Sequence, residues 1–413
     1  MPDYEKENQA AMTEEWELLP AQKQNVYAQS YAPEDPFLNV HSMIKLKADV
    51  DQNRMEKAVN LVLQEHPCIC LNIFSDEATG TWYQKYEQSF FTPAVTEELS
   101  EDALPERIRE LNTPFSVGKE RLYRCGLIRT EEGLYLYLIL HHTITDQSAL
   151  NLMMLQILQT YQGGAFTGEK DSYFYLLKQL AERKKSASYT EAKAYFEKLF
   201  DERKMSVPLG VRLDHESKDR TLATIIHSID RKENRNVNFL KTASALACAW
   251  YNGTQFAFLE TINADRQDPL RQSSSGFFAT FLTVGLSLGG DESAAALLAQ
   301  IKEQNQFART HTEYCYIDDK IGDASLMLRF NYQKDGLGWI RETDLPEKVM
   351  KFPEPTVMTG VMGLSFVDSR MSPQIHLFLR YATACYEKES MERYLKLFDD
   401  AVKYLDESEQ SEG

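Results

Sequence analysis

The chain is short of positive charge, with 45 Lys and Arg against 62 Asp and Glu and a formal net charge of −17. That balance argues against a general binder of nucleic acid or of anionic membranes, because such surfaces need a cationic excess to meet phosphate. Cysteine is scarce and scattered: the six residues at 68, 70, 125, 248, 315 and 385 form no CxxC pair. They read as reduced thiols of a cytoplasmic protein. A secretion signal is missing too, since Met1-Pro2-Asp3-Tyr4-Glu5-Lys6-Glu7 is acidic and has neither the basic nor the apolar region of one. The longest notable apolar run, Phe277 to Leu288, has twelve residues and includes Gly285, whereas a membrane span needs about twenty. A soluble protein located in the cytoplasm is therefore expected, with no nucleic acid and no membrane among its partners.

Several catalytic signatures are also lacking. There is no GxSxG elbow for a serine hydrolase and no GxGxxG opening a βαβ unit. Gly163 to Gly168 begins like a phosphate-binding loop, but Glu169-Lys170-Asp171 stands where Gly-Lys-Ser/Thr is needed. It reads as a linker. No internal repeat of solenoid type is present.

What is present is a globular interior, with 43% hydrophobic and 26% charged residues. A chain of 413 residues exceeds the usual size of one core, so two lobes are expected. The linker places the boundary between an N-terminal lobe over 1–168 and a C-terminal lobe over 169–413, with helix from about Tyr173 to Phe200 opening the second. Val40 to Lys47 reads as a strand, followed by a helix with Met55, Ala58, Val59, Val62 and Leu63 on one face and Asp51 as its cap. Glu407 to Gly413 reads as a frayed tail.

The chemistry concentrates in His141-His142-Thr143-Ile144-Thr145-Asp146. The run Leu134 to Leu140 before it suits a buried strand, and Leu150, Met153, Met154, Ile157, Leu158 and Tyr161 after it mark a helix, so the cluster occupies a strand-to-helix turn. Neighbouring strand residues face opposite sides, so the two histidines have different jobs. A neutral imidazole can take a proton near neutrality and return it, which suits attack of an amine, alcohol or thiol on an activated acyl group. Asp146 can cap the helix or pair with a distant arginine. A metal site is disfavoured, because the adjacent histidines diverge and no further Cys/His cluster supports them.

This cluster resembles the HHxxxDG signature of the condensation-domain superfamily, which includes nonribosomal peptide synthetase domains and coenzyme A-dependent acyltransferases. Further segments are similar in order: Leu18-Leu19-Pro20-Ala21-Gln22, His66-Pro67, Pro114-Phe115, Arg121 to Arg124, Tyr195-Phe196, Gly276 to Thr280, His311 to Tyr314, Phe330 to Gln333 and Leu379 to Glu387. Departures lie at Gln147, where the family has glycine, at Cys70, in place of an arginine, and at Thr280-Phe281, in place of Asn-Thr.

The resemblance implies a mixed α/β fold, with two chloramphenicol-acetyltransferase-like lobes forming a V-shaped pseudo-dimer around a channel. It implies His142 as catalytic residue; His141, Asp146 and Arg266 as support of the motif; and Gln147, Phe278, Thr280 and Gln333 along the substrate channel. Acyl transfer from a thioester is the activity implied, with amide formation in nonribosomal peptide or related natural-product biosynthesis first. A free-standing coenzyme A-dependent O- or N-acyltransferase and a non-catalytic carrier-binding relative are the alternatives. No permanently bound cofactor and no metal are expected; the phosphopantetheine arm arrives on coenzyme A or on an acyl or peptidyl carrier protein, and a small-molecule amine or alcohol accepts. Arg183-Lys184-Lys185 is a short candidate for meeting the phosphate of coenzyme A or an acidic carrier.

Overall fold

The computed structural model describes residues 3–200, 219, 221–290, 292–316, 328–334, 343–358, 362–369 and 372–411, with residues 3 and 408–411 described by backbone only. Along the chain run α1 (Asp3–Ala11), β1 (Trp16–Glu17), α2 (Pro20–Tyr31), β2 (Asn39–Leu46), α3 (Gln52–Glu65), β3 (Leu71–Ser75), β4 (Trp82–Tyr86) and β5 (Thr96–Glu98). Next come α4 (Leu104–Leu111), β6 (Tyr123–Arg129), β7 (Leu134–His141), α5 (Gln147–Gly163), α6 (Tyr173–Arg183) and α7 (Ala187–Phe200). Then follow β8 (Leu222–Asp230), α8 (Val237–Asn252), β9 (Phe256–Asn263), α9 (Pro269–Ser273), β10 (Thr280–Ser287) and α10 (Ala294–Thr310). The chain closes with β11 (Leu328–Lys334), β12 (Pro346–Val349), β13 (Met362–Asp368), β14 (Gln374–Ala382) and α11 (Lys388–Ser411).

Two compact units result, and the chain visits each more than once. The first comprises Met1–Ala181, Ala264–Ala279 and Leu337–Pro355; the second comprises Glu182–Asn263, Thr280–Gly336 and Thr356–Gly413. The first unit runs past the expected boundary at 168/169, because Tyr173 and Phe174 of α6 are buried in its core. Its main sheet has the order β12-β2-β7-β6-β5, with a smaller sheet β1-β4-β3. All eight residues of β7 are buried, so this central strand is covered on both faces and needs no polar alternation. Asp51 accepts from the N–H of Arg54 and caps α3, whose Met55, Val59 and Val62 enter the same core as Met153, Met154 and Ile157 of α5.

The second unit has one sheet, β10-β9-β11-β13-β14-β8. Phe239 and Leu246 of α8, Ile301 of α10 and Phe398 of α11 form a core with Leu259, Phe330, Leu364 and Leu377 of the strands. Phe196 and Phe200 of α7 join Phe258 and Leu282 in a separate cluster. Four strands repeat one plan in both units. In the first, β2 and β6 are antiparallel to β7 and β5 is parallel to β6; in the second, β8 and β13 are antiparallel to β14 and β11 is parallel to β13. Each unit is thus a mixed α/β sheet of the same local topology. α11 continues to Ser411, through most of the segment read as a frayed tail; residues 412–413 lie outside the described residues. Among the described residues no helix is long and apolar enough to cross a membrane.

Candidate active site

The site begins where β7 ends. The N–H of His141 still donates across the sheet edge, to the carbonyl of Leu122 at 2.9 Å, and the N–H of His142 donates to that of Leu38 at 2.8 Å. Both histidines are therefore held by backbone, and the pleat sends their rings apart. His141 is fully buried, edge-on to Phe115. Its Nδ1 accepts the Thr143 N–H at 3.2 Å, so the ring proton sits on Nε2, 3.4 Å from Gln29 Oε1. Burial, and secondarily the neighbouring His142, pushes its pKa down to about 3, so it stays neutral.

His142 has the opposite tautomer. Its Nδ1 lies 2.9 Å from the carbonyl oxygen of Thr145, and a carbonyl only accepts, so Nδ1 carries the proton and Nε2 presents a lone pair. The ring is half-buried beside Phe277, at 5.7 Å between centroids. The turn beneath is clamped from α2. Gln22 Nε2 donates to the Thr143 carbonyl at 2.7 Å, and Asn25 Nδ2 donates to the His142 carbonyl at 3.0 Å. Ile144, fully buried, anchors the turn in the core.

Asp146 serves two structures at once. As N-cap of α5 it accepts the Ala149 N–H on Oδ1 at 2.9 Å, satisfying a donor that the helix itself cannot. Its carboxylate also takes Arg266 Nη2 on both oxygens at 3.1 Å and the Phe278 N–H on Oδ2 at 3.1 Å. Arg266 in turn donates to the carbonyls of Arg271, Ser274 and Gly276. The returning segment Ala264–Ala279 is thereby wrapped around one guanidinium. Asp265, just before it, has φ +48°, a left-handed conformation held by a 2.9 Å ion pair with Arg271.

A second buried carboxylate grips the same segment. Asp171 Oδ2 accepts the N–H of Ser275 at 2.7 Å, its hydroxyl at 2.6 Å and His66 Nδ1 at 3.1 Å. Burial raises its pKa, but the hydrogen bonds and charge of His66 and the bonds from Ser275 prevail, and the net shift is downward. The Ser275 carbonyl accepts the Thr145 hydroxyl at 3.2 Å. Gly276 fits here only as glycine: a Cβ would stand 2.0 Å from the ring of Tyr173.

Among the described residues no group of three or more His, Cys, Asp or Glu could hold a metal. What the arrangement can do is accept a proton at His142 Nε2, from a ring whose tautomer is fixed. Residues 12–407 match the model of the condensation domain. The chain belongs to the condensation-domain family. This condensation domain is 22% identical over 429 residues to surfactin synthase subunit 2 of Bacillus subtilis (strain 168), covering 97% of this chain and 12% of that protein. It is 23% identical over 322 residues to bacitracin synthase 1 of Bacillus licheniformis, covering 71% of this chain and 6% of that one. The chain thus spans a small fraction of the curated relatives it matches.

Among solved structures, the starter condensation domain of rhizomide synthetase RzmA is similar with a TM-score of 0.75 at 17% identity, over 95% of this chain and 96% of that one. The X-domain from teicoplanin biosynthesis gives 0.76 at 14% over 95% of both chains. The epimerization domain TycB3(E) of tyrocidine synthetase B gives 0.73 at 14% over 96% and 98%. These likenesses establish the mixed α/β fold; domains of different titles share it, so the fold alone does not select the chemistry.

The remaining expected site residues fall on different segments of the chain. Phe278 is 2% exposed, packed against Tyr173 and the Arg266 guanidinium, and meets the motif through its backbone. Thr280 heads β10 and Gln333 lies exposed on β11, both in the second unit. Gln147 is exposed at the first position of α5 and donates to Asn151 Oδ1 at 3.0 Å. Its φ is not positive, so nothing in the backbone demands glycine there. Arg183 and Lys185 of the basic run face Glu313 and Glu182. Sequence reasoning named no role for Gln22, Asn25, Thr145, Asp171 or Ser275. Gln22 stood in a recognised segment, and that was its only signal.

Proposed function

We propose that this condensation domain transfers an acyl or aminoacyl group from a phosphopantetheine thioester to an amine, in nonribosomal peptide or related natural-product biosynthesis. The observation that carries the reading is the fixed tautomer of His142, with Nδ1–H spent on the Thr145 carbonyl and the Nε2 lone pair left as proton acceptor. As the amine nitrogen attacks the thioester carbonyl, Nε2 takes its proton. The C–N bond forms, the C–S bond breaks, and the proton passes to the departing thiolate. A positioned base of this kind contributes roughly 10²- to 10⁴-fold. Asp146 and Arg266 act through the turn and touch no reacting atom. Gln147, exposed beside the motif, is the side chain proposed to meet the substrate.

The donor arm comes with the substrate, on a carrier protein or on coenzyme A, and no permanently bound cofactor is invoked. A rhizomide synthetase starter domain has been solved with C8-CoA and Leu-SNAC, which makes acyl-coenzyme A donors and aminoacyl thioester acceptors the first probes. The test is product formation by mass spectrometry from a panel of acyl-coenzyme A and acyl-carrier donors with amine and alcohol acceptors. An adduct made by the wild type and lost in folded His142→Ala supports the proposal. Equal product from both proteins would remove His142 from the chemistry, and an ester as sole product would replace the amine with an alcohol.

A further inference from the structure

The tautomer of His142 depends on where the Thr145 carbonyl points, and Thr145 is tied to more than its own turn. Its hydroxyl donates to the Ser275 carbonyl at 3.2 Å. Ser275 is itself pinned, by N–H and by hydroxyl, to one oxygen of Asp171 at 2.7 and 2.6 Å. The same oxygen takes His66 Nδ1 at 3.1 Å, while His66 Nε2 lies 2.5 Å from Gln156 Oε1 of α5. His66, Thr145, Asp171 and Ser275 are all buried, the first three at 0%, 0% and 7% exposure. Three donors, the N–H and hydroxyl of Ser275 and His66 Nδ1, converge on one carboxylate oxygen in a buried interior, where any polar group that loses its partner is left unsatisfied.

We infer that Thr145 and Asp171 are positioning residues for His142: through Ser275 they hold the carbonyl that keeps the His142 proton on Nδ1. The inference rests on the reading of His142 as the base. It assigns a task to a carboxylate outside the histidine motif, and it divides the work between two acids. Asp146 fixes the helix start and Arg266. Asp171 fixes Ser275, and through it the one side-chain tie of Thr145 to the returning segment. An imidazole left free in water prefers the Nε2–H form, which would bury the useful lone pair against the turn. Loss of the line therefore misplaces the proton without removing the base.

The test reads the tautomer directly, so its outcome does not depend on finding the substrate. Protein labelled with nitrogen-15 histidine, assigned against His142→Ala, is compared in mildly alkaline buffer as wild type, Thr145→Val, Thr145→Ser and Asp171→Asn. Thr145→Ser keeps the hydroxyl and should retain the Nδ1–H pattern. Thr145→Val and Asp171→Asn should shift it toward Nε2–H, with kcat for acyl transfer falling on the order of 10-fold and donor KM changing less than about twofold. An unchanged tautomer in folded Thr145→Val would overturn the inference, as would equal loss in Thr145→Ser and Thr145→Val. Should Asp171→Asn fail to fold, the valine and serine pair still decides. A wild type with the fixed tautomer but no product from any donor would keep the positioning line and sink the proposed reaction instead.

Discussion

Removing either member of the Asp146–Arg266 pair strands a charge, because the two side chains are 6% and 8% exposed. A buried partner left alone costs about 3–5 kcal/mol, more than the pair itself is worth. Asp146→Ala and Arg266→Ala should each lower the urea midpoint by that order. A double variant far less destabilised than the sum of the two would show that the cost lies in the orphaned charge. Gly276→Ala is a separate case, since its Cβ would fall 2.0 Å from Tyr173, whose hydroxyl donates to Gln84 at 2.8 Å. The ring must move, so a loss of about 1–3 kcal/mol is expected by the same unfolding measurement. Gln147→Gly should stay within about 1 kcal/mol, since the side chain is exposed and makes one helix-surface contact. The sequence brought Arg266 and Asp146 into one argument because both stand in recognisable segments. Asp171 entered the sequence reading only as part of the segment that breaks a phosphate-loop pattern, because nothing in a linear pattern reveals that one of three charged neighbours is buried.

At the scale of elements, α8 shows how helix, burial and charge conflict. Every residue from Phe239 to Ala249 is buried, a run made feasible by small side chains at 243–245 and 247–249. Lys241 sits inside it, with Nζ 2.6 Å from Asn305 Oδ1 of α10. Burial, and then the charge of Arg309, push its pKa down to about 7. Above about pH 7 the folded amine is neutral while the unfolded one, with its ordinary value near 10.5, still binds a proton. Stability should therefore rise with pH between those values, the contribution being at its worst below pH 7. Lys241→Met should be more stable than wild type at pH 7 by a few kcal/mol, and the difference should shrink toward pH 10 in urea melts. Equal slopes in both proteins would contradict the buried neutral amine. The elements β2, α3, β7 and α5 were legible from period and caps alone. The end of α11 read as a frayed tail, because the apolar stripe through Tyr394, Phe398, Ala401 and Leu405 stops before the Glu-rich segment, where helix propensity carries the backbone on.

The two units repeat one strand plan, yet the histidine pair at the end of β7 has no counterpart at the end of β14. Where β7 ends at His141 with His142 following, β14 ends at Ala382 with Thr383 following, and the next helix begins after the same interval in each. The order of similar segments along the chain made this two-unit fold legible. The boundary was not, because periodicity describes neighbours in sequence and the first unit recruits Ala264–Ala279 and Leu337–Pro355 from far downstream. Those recruits are structural. The first supplies Arg266, Ser275 and the Phe278 N–H to two buried carboxylates, and the second supplies β12, which pairs with β2. A fragment ending at Ala181 would leave Asp146 and Asp171 without these partners and open an edge on β2. Such a fragment should bind hydrophobic dye, lose near-ultraviolet dichroism while keeping far-ultraviolet signal, and unfold without a sharp transition. The full chain should show native near-ultraviolet dichroism and cooperative loss of the first unit. A fragment that melts as cooperatively as that unit does in the full chain would show that the returning segments complete the site without holding the fold.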